Sequence, residues 1–307
     1  PKKDYVQGLI LCPTRELGQQ VAKQLFRYTK YSDKIFTESV YGGEKIDRQI
    51  ANLKRTTHIV VATPGRLIDL VNRKAVDISK VKTVILDEAD EMLSMGFKKE
   101  LDEILGFLPE AQSKWLFSAT MPQGIKQIVN EHMSATAHRI TVSGSNVVNA
   151  KIEHKFVHCE DTEKFHILLQ FLNSVKGQRG IIFCRTRNET KKLAAKLIAK
   201  NMPSDAIHGD LLQKERDKVM RAFKNENLSI IVATDIAARG IDVADLTFVV
   251  HFQLPNQDEY YTHRSGRTAR AGKEGISLVL ANGYDVRTIR EYEKNLKISF
   301  SKVKSVK

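Results

Sequence analysis

The sequence predicts an α/β protein with two parallel-sheet domains in tandem. Strand-like apolar runs alternate with amphipathic helical stretches along the whole chain, which is typical of a parallel sheet with helices on both faces. The length of 307 residues suits two such domains of ordinary size. A small and polar stretch at residues 143–146 separates two periodic regions of similar length.

The elements of each predicted domain follow from these patterns. We predict a first domain over 1–143, a linker over 144–150 and a second domain over 151–307. Apolar runs predict strands in the first domain at 8–12, 35–40, 58–62, 81–86, 115–118 and 139–142. In the second domain they predict strands at 155–159, 180–184, 205–208, 229–233, 247–252 and 275–280. Apolar residues three or four apart predict the intervening helices and a closing helix at 285–296.

Composition narrows the class of partner and the compartment. The formal net charge is +13, which favours a polyanionic partner, nucleic acid before membrane. No apolar run approaches the roughly 20 residues of a membrane helix. Cys12, Cys159 and Cys184 are far apart and odd in number, so we expect buried thiols in a reducing compartment such as the cytoplasm. Neither the cysteines nor the histidines show the spacing of a metal site.

An apolar run at residues 81–86 ends in the adjacent carboxylates Asp87 and Glu88. The run is short and rich in β-branched residues, which predicts a buried parallel strand. In open α/β sheets, the residues that bind ligands lie just beyond the carboxyl ends of the strands. A carboxylate there can hold Mg²⁺, usually through water, and its neighbour can polarise an attacking water. An acidic helix N-cap is the alternative interpretation.

Three further turns follow predicted strands and precede predicted helices. They contain Thr14 and Arg15, then Gly43, then Thr63 and Arg66. A helix N-terminus with a hydroxyl and a guanidinium can hold a phosphate, and glycine permits close backbone approach. Taken singly, these residues are equally well explained as caps, corners and surface charges. Three such turns on one sheet edge favour a track for a nucleic-acid backbone.

Ser118 and Thr120 follow the predicted strand at 115–118. Hydroxyl groups at a strand end can donate hydrogen bonds to carboxylates at the end of a neighbouring strand, here those of residues 87–90. The alternative is an ordinary cap, where serine and threonine are favoured.

The motifs PTREL (13–17), GG (42–43), TPGR (63–66), DEAD (87–90) and SAT (118–120) together resemble the first domain of a DEAD-box RNA helicase. The second half continues the resemblance through residues 181–186, 208–216, 233–242 and 263–270. The resemblance covers essentially the whole chain. It implies two RecA-like domains, ATP and Mg²⁺ as cofactors, and RNA as a partner recognised with little sequence specificity.

The resemblance also implies residue roles. Asp87 would hold Mg²⁺ and Glu88 would orient the attacking water. Arg267 and Arg270 would act on the γ-phosphate as arginine fingers, and they lie three apart, so they would share a face in a helical or turn segment. The implied nucleotide and relay residues are Gly240, Asp242, Asp90, Ser118, Thr120 and His263. The implied RNA contacts are Thr14, Arg15, Gly43, Thr63, Arg66, Arg185 and Thr234.

The sequence departs from the family pattern in one respect. No stretch fits the phosphate-binding loop G-x-x-x-x-G-K-[ST], and the upstream glutamine-containing adenine motif is missing as well. The strand and helix carrying that loop would be expected beside the Asp87 strand, so the first domain would lack part of its core. We therefore expect a piece of a longer protein, or an incomplete domain that another chain completes.

The resulting expectation is an ATP-dependent RNA helicase that locally unwinds short duplexes by ATP-driven closure of its two domains. The 307-residue chain by itself is then expected to be inactive. One alternative is an ATP-independent RNA-binding fragment of such a helicase. A DNA-unwinding translocase with a related core is a second alternative, which the combination of DEAD and TPGR motifs disfavours.

Overall fold

The computed structural model describes residues 4–32, 34–109, 111–141, 149–238 and 246–303. Within them the chain forms two compact units, which divide between Ile140 and Thr141. Most of the predicted linker lies outside the described residues. The two parallel-sheet α/β units in tandem confirm the predicted fold class.

The first unit contains a five-stranded parallel sheet in the order β2-β3-β1-β4-β5. Its strands are β1 (Gly8–Leu11), β2 (Thr37–Val40), β3 (Ile59–Ala62), β4 (Thr83–Leu86) and β5 (Ser113–Leu116). Its helices are α1 (Arg15–Thr29), α2 (Ile46–Leu53), α3 (Pro64–Asn72), α4 (Ala89–Ser94), α5 (Lys98–Gly106) and α6 (Gln123–His132).

The two faces of this sheet are covered unequally. Alternate strand residues such as Leu9, Val60 and Leu86 are fully buried in one core with apolar residues of α3 to α6. On the opposite face, α1 packs against β2 and β3. Ile85 is only half-buried on this second face, and Trp115 is 54% exposed. Among the described residues, the β4–β5 side of this face therefore lacks a helical cover.

The structure corrects the expected place of an additional strand. Strand β4, which leads to Asp87, already pairs with β1 on one side and β5 on the other. No further strand can lie directly beside it, so that expectation is wrong. Within the described residues, the outer edges of the sheet belong to β2 and β5.

The second unit contains a seven-stranded parallel sheet in the order β12-β6-β11-β10-β7-β9-β8. Its strands are β6 (Ile152–His158), β7 (Gly180–Phe183), β8 (Ser204–Ile207), β9 (Ile230–Ala233), β10 (Phe248–His251), β11 (Gly275–Ala281) and β12 (Ser301–Lys302). Its helices are α7 (Lys164–Ser174), α8 (Arg187–Ile198), α9 (Gln213–Lys224), α10 (Asp235–Ala238), α11 (Asp258–Ser265) and α12 (Asp285–Leu296). The core residues come from both faces of the sheet.

The predicted strands and the observed strands disagree in two places. Residues 139–141, the described part of the strand predicted at 139–142, are not a strand. Ile140 is 84% exposed, so burial of its side chain does not stabilise an extended pairing there. Strand β12 was not predicted, because two residues are too few to show a period.

The three cysteines are buried and reduced, as the sequence predicts. Burial, the largest cause, raises the pKa of each thiol. Among the described residues, no helix combines the length and apolarity that a bilayer crossing requires.

Candidate nucleotide and nucleic-acid sites

The three turns that follow β1, β2 and β3 lie at one edge of the first sheet, because these neighbouring strands are parallel. Thr14 is the N-cap of α1, and its hydroxyl accepts a hydrogen bond from the Leu17 amide at 3.3 Å. The cap interpretation therefore fits Thr14. Thr63 is the N-cap of α3 but makes no side-chain capping bond. Gly43 is exposed and has φ of +82°, a left-handed conformation that favours glycine.

Side chains join these turns into one surface. The Arg15 guanidinium lies 4.6 Å from the centroid of the Tyr41 ring, a cation–π distance. The Gln49 amide donates to the Tyr41 carbonyl at 3.0 Å. Arg66 donates to Gln49 Oε1 at 2.8 Å and to the Glu44 carbonyl at 3.2 Å. Arg66 thus holds the turn that contains the glycine pair.

Gln49 is a structural residue of this surface that the sequence interpretation missed. It is 1% exposed, although it is polar. The available signal was its position on the apolar face of α2, between Ile46 and Leu53 at helical spacing. A buried amide normally has hydrogen-bond partners, and here it bridges two turns.

Asp87 and Glu88 follow β4 at this same edge. The Asp87 amide donates to the Leu11 carbonyl at 2.9 Å, which continues the pairing of β4 with β1. Asp87 is half-buried, and burial raises the pKa of its carboxyl group, since desolvation disfavours the ionised form. The carboxylates of Asp87 and Glu88 also contribute, after burial, to the raised pKa of Cys12. This end of the strand is therefore a place of concentrated negative charge.

Glu88 has φ of +50° and ψ of +52°, the left-handed region. It occupies the N-cap position of α4 without a side-chain capping bond. The alternative in which it serves as an acidic cap therefore lacks its defining contact. A non-glycine residue held in this conformation costs free energy and is often found at functional sites.

Asp90 connects residues 87–90 to residues 118–120, the SAT motif. Its Oδ2 atom accepts from the Thr120 amide and from the Thr120 hydroxyl, both at 2.8 Å. This confirms the predicted hydroxyl–carboxylate contact for Thr120. The prediction is wrong for Ser118, whose hydroxyl donates to the Thr120 carbonyl at 2.6 Å. Asp90 is 6% exposed, so its charge is stabilised by these donors rather than by water.

In the second unit, Arg185 and Thr234 follow the neighbouring parallel strands β7 and β9 and share one sheet edge. The Arg185 amide donates to Gln253 Oε1 at 2.8 Å, and its guanidinium donates to the Leu254 carbonyl at 2.9 Å. Thr234 is half-buried and immediately precedes α10. Gln253, which follows β10, was missed because nothing in its local sequence distinguishes it.

Arg264 is the buried anchor of the segment at 263–270. It is 2% exposed, and its guanidinium donates to both Asp235 oxygens at 2.5 and 2.8 Å. It also donates to the Gln253 carbonyl at 2.8 Å. A bidentate ion pair of this kind fixes the relative orientation of its two side chains and also adds to their interaction energy. The pair therefore joins α11 to α10.

A buried polar network also holds α11 against the sheet. The Tyr261 hydroxyl lies 2.5 Å from His154 Nδ1 and 3.1 Å from Ser277 Oγ. Ser277 Oγ lies 3.0 Å from His251 Nε2 and 2.9 Å from Ser265 Oγ. These five residues come from β6, β10, β11 and α11, so the network fixes the helix that leads to Arg267.

Arg267 and Arg270 lie after α11 rather than on it. The helix ends at Ser265, Ala269 is left-handed with φ of +55°, and a short 3₁₀ turn begins at Arg270. Arg267 is half-exposed and Arg270 is exposed, with its Nε donating to the Gly266 carbonyl at 3.1 Å. His263 is half-buried on α11. Gly240 and Asp242, two further predicted nucleotide contacts, lie outside the described residues.

One cluster with metal-ligand chemistry lies elsewhere. Ligand atoms of Asp102, Glu131 and His132 lie within 4.8 Å of one another, although the sequence showed no histidine cluster. Lys98 Nζ lies 2.8 Å from Asp102 and 3.9 Å from Glu131. The ammonium group supplies the positive charge here, so we interpret the cluster as an ion-pair network.

The fold and these sites define a class: two RecA-like units that carry acidic and basic groups at the carboxyl edges of parallel sheets. Comparison with known proteins identifies the family. Residues 1–128 match the family model of the DEAD/DEAH box helicase, and residues 163–272 match that of the helicase conserved C-terminal domain. The chain belongs to the DEAD-box helicase family.

Individual proteins that are similar to this chain support the same family assignment. Proteins named DEAD-box ATP-dependent RNA helicase CshA, from Bacillus cereus and Bacillus thuringiensis, are 39% identical over 295 residues. The match covers 96% of this chain and 56% of theirs, so the chain spans little more than half the length of these relatives. A solved DEAD box protein from the hyperthermophile Methanococcus jannaschii is 39% identical, with 98% of this chain and 81% of that chain covered and a TM-score of 0.54. S. cerevisiae Dbp5 bound to RNA and ADP BeF3 is 27% identical, with 99% and 79% covered and a TM-score of 0.89.

Proposed function

We propose that this chain works in an ATP-dependent RNA helicase that locally unwinds short duplexes as its two units close on ATP and single-stranded RNA. One observation carries the proposal. Asp87 and Glu88 lie at the same sheet edge as the turns of Thr14, Gly43 and Thr63. An acidic site for phosphoryl transfer and a candidate backbone track are therefore part of one surface of the first unit.

Asp87 fits a role as a Mg²⁺ ligand. Its carboxyl group is half-buried and its pKa is raised by desolvation, so a divalent cation would favour the ionised form. Carboxylate oxygen is the donor that Mg²⁺ prefers. Bound Mg²⁺–ATP supplies the phosphoryl group that passes to water. Glu88, next to Asp87, would orient that water and hold its proton at the carboxylate.

Asp90, Ser118 and Thr120 would couple the occupied site to the rest of the first unit. Thr120 donates two hydrogen bonds to the Asp90 side chain. A displacement of residues 87–90 would therefore also move residues 118–120. In the second unit, Arg267 and Arg270 would stabilise the charge that develops on the transferred phosphoryl group. His263 would relay the nucleotide state, and Gly240 and Asp242 would contact the nucleotide.

The RNA contacts are assigned to both units. Thr14, Arg15, Gly43 and Thr63 would contact the RNA backbone in the first unit, with Arg185 and Thr234 in the second. Such contacts position a strand without reading its sequence. Arg66 acts chiefly by holding the turn of Gly43, because its guanidinium already binds Glu44 and Gln49. The two functional domains are proposed to span 1–143 and 151–307.

One part of the expected nucleotide site has no counterpart in the sequence. The sequence contains no glycine-rich phosphate loop. A cavity of about 440 Å³ lies on the incompletely covered face of the first sheet, lined by apolar residues that include Ile10, Leu25 and Ile85. We assign the loop to a further strand and helix that would extend the sheet beyond β5 and cover this cavity. Trp115 and Phe117, each just over half exposed, support that arrangement.

The same observations favour a second candidate, an RNA-binding fragment that acts without ATP. Under this candidate the 307-residue chain binds RNA with a strong salt dependence and hydrolyses no ATP. The intact mass of the protein isolated from its source separates the two candidates. A mass close to 34.8 kDa with no ATPase activity favours the fragment, whereas a larger, active protein favours the helicase.

The proposed chemistry is tested by changing Glu88→Gln in the intact protein from its source. We expect RNA-stimulated ATP hydrolysis to be abolished while RNA affinity is retained, because the amide keeps the shape but cannot hold the proton of water. Glu103→Gln, on the exposed side of α5, is the matched control and should keep full turnover. Undiminished turnover in Glu88→Gln refutes the assignment. Stronger stimulation by DNA than by RNA would favour the DNA translocase instead.

A further inference from the structure

Helix α1 has an outward face with an unusual composition. Residues 17–32 contain three basic residues, three aromatic residues and no acidic residue. The outer face of α1, as we use the name, comprises Lys23, Phe26, Arg27, Lys30 and Tyr31. Their spacing of i, i+3, i+4, i+7 and i+8 places them on one side of the helix and its C-terminal cap.

The aromatic rings of this surface are in water rather than in the core. Phe26 is 67% exposed and Tyr31 is 89% exposed, and the flanking Tyr28 is 80% exposed. The opposite face of the helix, with Leu17, Val21 and Leu25, is the face that packs against the sheet. The core therefore does not require these rings, and their exposure opposes the hydrophobic effect.

The charges are partly explained by helix stability, but the rings are not. Basic side chains near a helix C-terminus interact favourably with the helix dipole. This interaction explains the presence of Arg27 and Lys30. That effect gives no reason for Phe26 and Tyr31 to lie among them. Lys30 Nζ lies 5.0 Å from the centroid of the Tyr31 ring, so cation and ring already form one unit.

The position of α1 links this surface to the candidate RNA track. The helix begins directly after Thr14 at the carboxyl edge of the sheet. Its 15 residues carry it about 22 Å toward the opposite edge. A strand that leaves the track near Thr14 would meet the outer face along this length.

We propose that the outer face of α1 is a second RNA-binding surface, which holds single-stranded RNA flanking the segment bound at the carboxyl edge. Bases stack on Phe26 and Tyr31, while Lys23, Arg27 and Lys30 neutralise the phosphates between them. Exposed rings interleaved with cations are the arrangement that binds single strands without sequence preference. This inference rests on the proposed RNA-binding function and adds a site that lies outside the motifs.

The test compares two RNA lengths with the intact protein from its source, with Mg²⁺ and ATP present, by fluorescence anisotropy at fixed salt. A short oligonucleotide of about six nucleotides fills the track alone, and one of about twenty also reaches the outer face. The double variant Phe26→Ala/Tyr31→Ala should bind the long RNA at least about fivefold more weakly. Its affinity for the short RNA should not change. Tyr284→Ala removes an isolated ring that is 89% exposed in the second unit and should affect neither RNA.

A charge variant provides an independent readout. Lys23→Gln/Lys30→Gln removes two phosphate contacts, so the slope of log affinity against log salt should fall by about 1.4 for the long RNA. The slope for the short RNA should stay the same. Circular dichroism verifies that each variant is folded.

The outcomes separate this inference from the proposed function. If the unchanged intact protein binds neither RNA, the proposed function fails and the inference fails with it. If the unchanged intact protein binds both RNAs and Phe26→Ala/Tyr31→Ala leaves the affinity for the long RNA intact, only the inference is overturned. Equal loss for short and long RNA also overturns it, since the surface would then act through the track.

Discussion

His154 and His251 are expected to make the second unit sensitive to acid. Both imidazoles are buried in the network around Tyr261. Burial lowers the pKa of His154 from its ordinary value of 6.5 to about 4. Burial, followed by the charges of Arg264 and His154, lowers the pKa of His251 well below 6.5. Both side chains are therefore neutral in the folded protein at pH 7.

The sign of the effect follows from proton linkage. The unfolded chain binds protons on these histidines near pH 6.5, whereas the folded unit does not. Their contribution to stability is complete above pH 6.5 and is lost as the pH falls toward 4. Each pH unit in this window costs about 1.4 kcal/mol per histidine. By pH 5, His154 alone should lower the free energy of unfolding of the second unit by about 2 kcal/mol, and His251 adds a loss of the same sign.

Urea unfolding at several pH values between 7 and 5 measures this loss. Trp115 lies in the first unit, so its fluorescence follows that unit, and circular dichroism follows both. Any dichroism transition that has no matching change in fluorescence therefore reports the unfolding of the second unit. His154→Gln keeps a group that can bond to Tyr261 but does not titrate in this range. We expect it to reduce the loss at pH 5 by about 2 kcal/mol.

His166→Gln is the matched control, because His166 is exposed on α7 in the same unit. It should leave the pH dependence of stability unchanged. If wild type and His154→Gln show the same slope of stability against pH, His154 does not titrate on unfolding and the reasoning is refuted.

Three further changes test single contacts. Glu88→Gly should stabilise the first unit by about 1 kcal/mol, because glycine adopts a φ of +50° without strain; urea unfolding followed by Trp115 fluorescence measures it. Asp90→Ala should destabilise the same unit by about 1–3 kcal/mol in that assay, since the Thr120 amide loses its acceptor. Arg264→Ala should destabilise the second unit by about 3–5 kcal/mol, measured by circular dichroism, because it leaves the Asp235 carboxylate without its partner.

Each of these changes has a control. Glu88→Ala removes the carboxylate but keeps the strained backbone, so a gain equal to that of Glu88→Gly would rule out strain as the cause. Thr120→Val in combination with Asp90→Ala should cost less than the sum of the separate changes, and full additivity would mean that the contact is not formed. Arg187, which is 64% exposed and pairs with Asp210, should tolerate replacement by alanine within about 1 kcal/mol.

The sequence alone determined the fold class and most of the elements. Apolar runs located the core strands to within one to three residues at most ends, and the closing helix has the predicted bounds, Asp285–Leu296. The same patterns placed Asp87, Thr14 and Thr63 at the ends of parallel strands. These features depend on local periodicity, which any stretch of sequence displays by itself.

The tertiary structure decided how distant residues are paired. The Arg66 side chain reaches Gln49, 17 residues away, and the Tyr261 hydroxyl reaches His154, 107 residues away. Residues 139–141, which were predicted as a strand and are not one, and the unpredicted β12 have the same cause, since a strand exists only where a neighbour accepts its hydrogen bonds. Which side chain finds which partner depends on the strand order and the packing of both sheet faces, and these are properties of the whole folded unit.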